Sequence, residues 1–251
     1  MTFSLEGKRT LITGGTSGIG LAIAKRFAEQ GANVIISGRR ESGTEIAASV
    51  GAHFIRADMM VPTDVERLVQ ESVKHLGGLD VVINNAGIPG EVGTIADLEM
   101  SAFDAPFAVN VRAAYQILKL VPPHMSSGGS IINTASISGT MGEPYVAVYG
   151  ATKAALLSLT KSAALALAPE NIRVNAVNPG YFDTEIWEGG MPEDCMKLEV
   201  PLARAGKGPE AAAPYHFLAS DDAGYITGSC ITVDGGMSAG TSLQTTALLN
   251  A

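Results

Sequence analysis

Thr13-Gly14-Gly15-Thr16-Ser17-Gly18-Ile19-Gly20 joins the first apolar run of the chain to its first helical pattern. The run at Lys8–Thr13 predicts a β-strand, and the periodicity at Ile19–Gln30 predicts a helix that ends before Gly31. Glycine permits a tight turn here, and the N–H groups at the start of the helix attract phosphate. The stretch therefore predicts a dinucleotide pyrophosphate at this turn. The residues expected to contact it are Gly14, Thr16, Ser17, Gly18 and Ile19.

Short apolar runs continue to alternate with helical patterns along the 251 residues. Strands without polar alternation, separated by helices, predict a parallel sheet that is covered on both faces. We therefore expect an α/β fold, a single-domain doubly wound Rossmann-like sheet of about seven strands, over residues 1–251. Further strands are predicted at Asn33–Ser37, His53–Arg56, Leu79–Ile83, Ser130–Thr134, Ile172–Ala176 and Cys230–Val233. Further helices are predicted at Glu41–Val50, from Pro62, at Ala102–Val121 and at Tyr145–Ala168.

The segment 181–208 has little periodic pattern and is rich in Glu, Gly, Met and Pro. Loops of this length in a compact domain usually serve function, so we expect a mobile substrate loop. Pro214 falls inside the helix expected after Pro209. An interior proline removes a backbone hydrogen bond, so that helix should either start late or be kinked.

Composition restricts the classes of partner. Hydrophobic residues make up 46% of the chain, charged residues 17%, and the formal net charge is −8. A surface this acidic repels nucleic-acid phosphates and anionic lipid, so we expect no nucleic-acid and no membrane partner. The two cysteines, Cys195 and Cys230, suit neither a metal knuckle nor a disulfide framework. Without a signal-peptide pattern at the N-terminus, they predict reduced thiols in a cytoplasmic protein and no metal site.

The second predicted strand ends at Ser37-Gly38-Arg39-Arg40. Enzymes that bind NAD usually place an acidic residue here, to bond the 2′-hydroxyl of the adenosine ribose. Gly38 occupies that position, and the Arg39 guanidinium is suited to a 2′-phosphate. We therefore expect NADP(H) to be favoured, with NAD(H) possible. The alternative is a solvated pair of surface arginines. Asp58, with Met59 beside it, is expected either at the adenine or as a capping acid before Pro62.

Tyr149 and Lys153 are four residues apart and share a face of the predicted helix. A nearby ammonium favours phenolate, so we expect Lys153 to lower the pKa of Tyr149 and make it a general acid and base. Ser136 follows the strand Ser130–Thr134 and should lie at the carboxyl edge of the sheet. Asn110 lies inside a predicted helix, as either a hydrogen-bonded core amide or part of a water relay.

Taken in order, these motifs resemble the short-chain dehydrogenase/reductase family. The matching pieces cover nearly the whole chain. They are Thr13–Gly20, Asn84-Asn85-Ala86-Gly87, Asn110, Ser136, Tyr149-x-x-x-Lys153, Asn178-Pro179-Gly180, Leu218–Asp222, Tyr225–Gly228 and Val233–Gly236.

The resemblance implies a role for each matching position. Tyr149 would exchange the proton, Lys153 would lower its pKa and bond the nicotinamide ribose, and Ser136 would bond the substrate oxygen. Asn110 would hold a water that links Lys153 to solvent. The stretch Asn85-Ala86-Gly87 would line the adenosine and ribose side. The nicotinamide end would be contacted by Pro179, Gly180, Phe182 and Thr184.

The resemblance also implies the reaction class: hydride transfer between a nicotinamide cofactor and a ketone or secondary alcohol. Enoyl reductases of this family separate the tyrosine and lysine further, so carbon–oxygen chemistry is favoured. The substrate is expected to meet Ser136, Ser138, Met141, Glu143, Tyr149, Tyr181 and Trp187. Glu143 and Glu91 would discourage an anionic substrate, which leaves a lipophilic or aromatic small molecule.

Three alternatives stay open at this stage: an NAD-dependent alcohol dehydrogenase working oxidatively, a non-catalytic dinucleotide-sensing module, and an epimerase or dehydratase. The serine, tyrosine and lysine set argues against a sensor, and the short chain argues against the third class. The resemblance further implies a homotetramer, with Ala102–Val121 and Tyr145–Ala168 at one interface. The alanines expected to allow close helix approach are Ala151, Ala154, Ala155, Ala163 and Ala164.

Overall fold

The computed structural model describes residues 3–183 and 193–249. The strands are β1 (Arg9–Ile12), β2 (Asn33–Gly38), β3 (His53–Arg56), β4 (Leu79–Asn84), β5 (Met125–Thr134), β6 (Arg173–Pro179) and β7 (Cys230–Val233). The helices are α1 (Gly18–Glu29), α2 (Gly43–Ser49), α3 (Pro62–Leu76), α4 (Ser101–Pro106), α5 (Ala113–Leu120), α6 (Ala147–Leu167), α7 (Glu193–Glu199), α8 (Gly208–Ala219) and α9 (Leu243–Leu249).

The strands form one parallel sheet in the order β3-β2-β1-β4-β5-β6-β7. The predicted fold class, a doubly wound α/β sheet of seven strands, is confirmed. The strand order reverses between β1 and β4, and ligands of such sheets bind where it reverses, at the carboxyl ends of the strands. The glycine turn after β1 and the Asn85–Gly87 stretch after β4 therefore lie side by side.

Alternate residues of each strand point to opposite faces, and both faces are buried. Leu11 and Ile35 pack with α3, α5 and α6 on one face. Ile12 and Ile36, one residue further along, pack with α1 and α8 on the other. This two-sided core explains why the strands are apolar without alternation, and it holds their carboxyl ends in a fixed array.

The predicted helix Ala102–Val121 has the right extent but is not one regular helix. Between α4 and α5 the backbone follows a π-helix at Phe107–Arg112. The wider turn begins directly after Pro106, which lacks the N–H that would continue an α-helical ladder. Asn110 lies in this π-helix, a form often found at functional sites.

Two other predictions need correction. The segment 181–208 is not structureless, because α7 forms at Glu193–Glu199. The mobility of the segment stays a prediction, and 184–192 lie outside the described residues. Of the two alternatives predicted for the helix around Pro214, the late start is wrong, because α8 begins at Gly208 and includes the proline. The kink stays a prediction. Among the described residues, none of the helices combines the length and apolar character that crossing a bilayer requires.

Candidate active site

A cleft opens at the carboxyl edge of the sheet, above the reversal between β1 and β4. Its lining runs from the glycine turn and the end of β2, across the loop after β4, to β5, α6 and the residues after β6. All the described residues that were predicted to contact cofactor line it. They are Gly14, Thr16, Ser17, Gly18, Ile19, Arg39, Asp58, Met59, Asn85, Ala86, Gly87, Tyr149, Lys153, Pro179, Gly180 and Phe182.

The glycine turn is shaped for an anion. Gly14 has a φ of +65°, and a Cβ there would lie 2.9 Å from the Ala86 Cα, so a side chain is excluded. Ser17 makes no side-chain capping hydrogen bond at the start of α1, and the first turn contains no acidic residue. The N–H groups of that turn therefore face the cleft without a competing carboxylate, as a pyrophosphate site requires.

Thr13 and Asn85 connect the turn to the loop after β4. The Thr13 Oγ1 accepts hydrogen bonds from the N–H groups of Asn85 and Ala86, both at 3.0 Å. The Asn85 Nδ2 donates to the carbonyls of Thr13 at 3.0 Å and Gly14 at 3.1 Å. The Asn85 side chain thus supports the turn. That Thr13 joins the two segments was not predicted from the sequence, although Thr13 is the first residue of the stretch Thr13–Gly20.

The adenosine end of the cleft is defined by Gly38, Thr16 and Arg39. A Cβ on Gly38 would lie 2.7 Å from the Thr16 Oγ1 and 2.9 Å from its Cγ2. The position where an NAD-binding chain would carry an acid is therefore closed by Thr16. Arg39 is exposed and lines the cleft. Asp58 also lines it, and its Oδ1 accepts the Met60 N–H at 2.9 Å within the turn before α3. It does not cap that helix, whose N-cap residue is Val61 without a side-chain hydrogen bond.

At the other end of the cleft, α6 presents Tyr149 and Lys153 on one face, as predicted from their spacing. The Lys153 Nζ lies 5.4 Å from the centroid of the Tyr149 ring. It donates a hydrogen bond of 2.7 Å to the Thr134 carbonyl at the end of β5. Thr134 and the buried Tyr215, whose hydroxyl donates to the Thr134 Oγ1 at 2.9 Å, had no signal in the sequence.

Burial dominates the ionisation of both groups. It raises the pKa of Tyr149 to about 12, an effect that a hydrogen bond with Ser136 opposes and the Glu143 charge reinforces. A net lowering of the Tyr149 pKa, as expected from the sequence, does not hold for the chain alone, because burial raises this pKa. The effect of Lys153 on it stays a prediction. Burial likewise lowers the pKa of Lys153 to about 8. Both shifts favour the neutral form of a side chain removed from water.

Ser136 begins a chain of hydrogen bonds beside the phenol. Its Oγ accepts the Ser138 N–H and donates to the Ser138 Oγ, both at 3.2 Å. The Ser138 Oγ donates in turn to the Glu143 Oε1 at 2.6 Å. Five of the residues predicted to meet substrate line the cleft together: Ser136, Ser138, Glu143, Tyr149 and Tyr181. Met141 is not among the lining residues, and Trp187, like Thr184, lies outside the described residues.

Asn110 lies beneath the cleft with its side chain committed to the protein. Its Oδ1 accepts the Ile88 N–H at 2.8 Å, and its Nδ2 donates to the Ile88 carbonyl at 2.9 Å and the Thr152 Oγ1 at 3.0 Å. The side chain is thus a hydrogen-bonded core amide that joins the π-helix to α6 and the loop after β4. Its role in a water relay stays a prediction.

Known proteins resemble the chain over most of its length. A family model described as enoyl-(acyl carrier protein) reductase matches residues 14–238. A Caenorhabditis elegans protein named dehydrogenase/reductase SDR family member 4 is 37% identical, over 93% of this chain and 96% of its own length. The human protein of that name is 36% identical, over 92% of this chain and 88% of its own length.

Two solved structures extend the likeness to the fold and the cofactor. A short-chain dehydrogenase from Burkholderia cenocepacia in complex with NADP is 36% identical, with a TM-score of 0.88 over 93% of this chain and 99% of its own. A 3-ketoacyl-(acyl-carrier-protein) reductase from Brucella melitensis complexed with NADH is 36% identical, with a TM-score of 0.89 over 94% of this chain and 100% of its own. The seven-stranded parallel sheet agrees with these matches. The chain therefore belongs to the short-chain dehydrogenase/reductase family and is an NAD(P)-dependent oxidoreductase.

Proposed function

We propose that this protein reduces a ketone, or oxidises the matching secondary alcohol, with NADP(H) as its favoured cofactor. One observation supports this most strongly. Tyr149, Ser136 and Lys153 converge at one end of a cleft whose other end is the glycine turn. Bound there, the cofactor would give or accept hydride at its nicotinamide, while the protein supplies position and protons.

Tyr149 acts as the proton donor in reduction. Its pKa of about 12 keeps the phenol protonated at neutral pH, so the proton is available when negative charge develops on the substrate oxygen. In oxidation the same oxygen removes the hydroxyl proton. A cation beside the phenol favours that direction because it stabilises phenolate.

Ser136 stabilises the substrate oxygen. Its hydroxyl lies beside the phenol, and it turns from the Ser138 Oγ to donate to that oxygen. Lys153 spends one of its three N–H donors on Thr134, which leaves two for the nicotinamide ribose.

Arg39 and Gly38 support the preference for NADP(H). Among the described residues, Arg39 makes no ion pair, so its guanidinium is available to a 2′-phosphate beside the closed position 38. One of the two solved relatives is a complex with NADP and the other a complex with NADH, so either cofactor fits the family.

The matching family model, that of enoyl-(acyl carrier protein) reductase, offers a second candidate, reduction of an enoyl thioester. The four-residue spacing of Tyr149 and Lys153 favours the carbonyl reaction instead.

The proposal is tested by following the absorbance of the reduced cofactor with an aryl methyl ketone and, separately, with a crotonyl thioester. We expect the enzyme to turn over the ketone. In Tyr149→Phe, ketone turnover should fall by at least about a hundredfold while NADP(H) binding is retained. Turnover of the thioester alone, or an active Tyr149→Phe variant, would overturn the proposal.

Exposed faces of α5 and α6 support a homotetramer. Leu165 on α6 is 81% exposed and Tyr115 on α5 is 55% exposed. Ala151 and Ala154 lie on the same exposed face of α6. Ala164, however, is buried in the core, so the prediction that it lies at the interface is wrong. A cytoplasmic location stays a prediction, drawn from the two cysteines.

A further inference from the structure

Glu143 places a fixed carboxylate at the substrate end of the cleft. It lies between the short turn Ile137–Gly139 and α6, half-buried, and lines the same cleft as Tyr149. The Ser138 hydroxyl donates to its Oε1 at 2.6 Å. A short hydrogen bond to a charged acceptor orients the group, so the carboxylate does not sample the solvent freely.

This carboxylate acts on both phenols at that end of the cleft. The negative charge of Glu143 raises the pKa of Tyr149 and also that of Tyr181, which follows β6. Glu143, Tyr149 and Tyr181 all line the same cleft. The charge of Glu199 on α7 adds to the effect at Tyr181.

Among the described residues, Lys153 is the basic side chain that lines this end of the cleft. Glu143 makes no salt bridge with a described residue, and Lys153 is buried against the Thr134 carbonyl. The arginines that line the cleft, Arg39 and Arg40, belong to the adenosine end. The substrate end is therefore a negatively charged environment.

We propose that Glu143 determines the charge of the substrate, and that this chain prefers a ketone or secondary alcohol that carries a protonated amine. This inference rests on the proposed function. A cationic substituent is attracted to the oriented carboxylate, whereas a carboxylate or phosphate group is repelled in a cleft that water screens only partly.

A matched series of acetophenones tests the selection. The three compounds carry an aminomethyl, a hydroxymethyl or a carboxylate group at the para position, and so differ mainly in charge. We expect kcat/KM to fall from the cationic to the neutral to the anionic ketone, with roughly tenfold or more between the extremes, mostly in KM. In Glu143→Gln, which keeps the shape and removes the charge, the ratio between the extremes should fall to within about threefold.

Glu170→Gln is the matched control. Glu170 is exposed in the turn Ala168–Glu170 before β6, at the opposite edge of the sheet, so the same change there should leave the ratio as in wild type. A wild-type ratio that Glu143→Gln leaves unchanged, or a preference for the anion, would overturn the inference.

Calorimetric binding separates this inference from the proposed function. The three ketones are titrated into enzyme saturated with NADP⁺, where no turnover is needed. If affinity falls from the cationic to the neutral to the anionic ketone, and Glu143→Gln removes this order, the charge selection is supported. That conclusion would hold even if the enzyme does not reduce ketones, a result that would overturn only the proposed function. Equal affinities for the three compounds would overturn the charge selection by itself.

Discussion

Lys153 has the least ordinary environment of any single residue in the site. It is a buried cation with one hydrogen bond, to the Thr134 carbonyl, and burial lowers its pKa to about 8. Such a group is costly to bury, because its hydration is replaced only in part. Its presence therefore indicates selection for function rather than for stability.

Replacing Lys153 should separate stability from activity. In Lys153→Met we expect kcat to fall by at least about a hundredfold, while the melting temperature stays level or rises, because the buried charge is removed. Lys161→Met, on the exposed side of the same helix, should retain activity. A large fall in melting temperature with Lys153→Met would contradict this account.

The same lysine gives a pH signature. Because its pKa is about 8 in the folded chain and 10.5 ordinarily, the unfolded chain holds the proton between these values and the folded chain does not. The contribution of Lys153 to the free energy of unfolding must therefore rise with pH through that window. The wild-type value minus that of Lys153→Met, measured by denaturant titration, checks the sign of the slope.

Arg39 should discriminate the two cofactors. In Arg39→Ser we expect NADPH to bind at least about tenfold more weakly and NADH to change little, because only the former carries the 2′-phosphate. Lys74→Ser, in the last turn of α3, controls for the loss of one positive charge. Equal weakening of both cofactors would show that Arg39 does not contact that phosphate.

Among the elements, α8 carries an unusual proline. Pro214 lies inside Gly208–Ala219 and cannot donate the hydrogen bond that an interior helical residue normally makes to residue i−4. We expect Pro214→Ala to raise the free energy of unfolding by about 1 kcal/mol. Pro209→Ala in the first turn of the same helix, where proline is favourable, should not stabilise. Denaturant titration of both variants measures the free energy of unfolding. A lower value in Pro214→Ala than in wild type would contradict the prediction.

The elements also show where sequence reasoning succeeds and fails. Continuous apolar runs predicted the strands, because a sheet buried on both faces needs apolar residues at successive strand positions. The π-helix at Phe107–Arg112 and the short α7 were not predicted, because neither has a periodicity that distinguishes it.

In the site, too, one feature was predicted from the sequence and another was not. The four-residue spacing of Tyr149 and Lys153 predicted a shared face. The raised pKa of Tyr149 was not predicted, because burial depends on chain segments far apart in sequence.

For the whole molecule, association through α5 and α6 is open to a direct test. Leu165→Glu should break a tetramer into smaller species in sedimentation velocity, because it places a charge in an apolar helix face. Ile95→Glu, a residue with the same 81% exposure outside both helices, is the control. An unchanged sedimentation coefficient in Leu165→Glu, or a monomeric wild type, would contradict the assembly.

The contact between Gly38 and Thr16 restricts how cofactor choice can evolve. Aspartate at position 38 alone would collide with the threonine, since a Cβ there lies 2.7 Å from its Oγ1. An acid at position 38 therefore requires the Thr16 side chain to move or to be replaced. Cofactor choice is thus set by the two positions together, one in each of the first two turns at the carboxyl edge of the sheet.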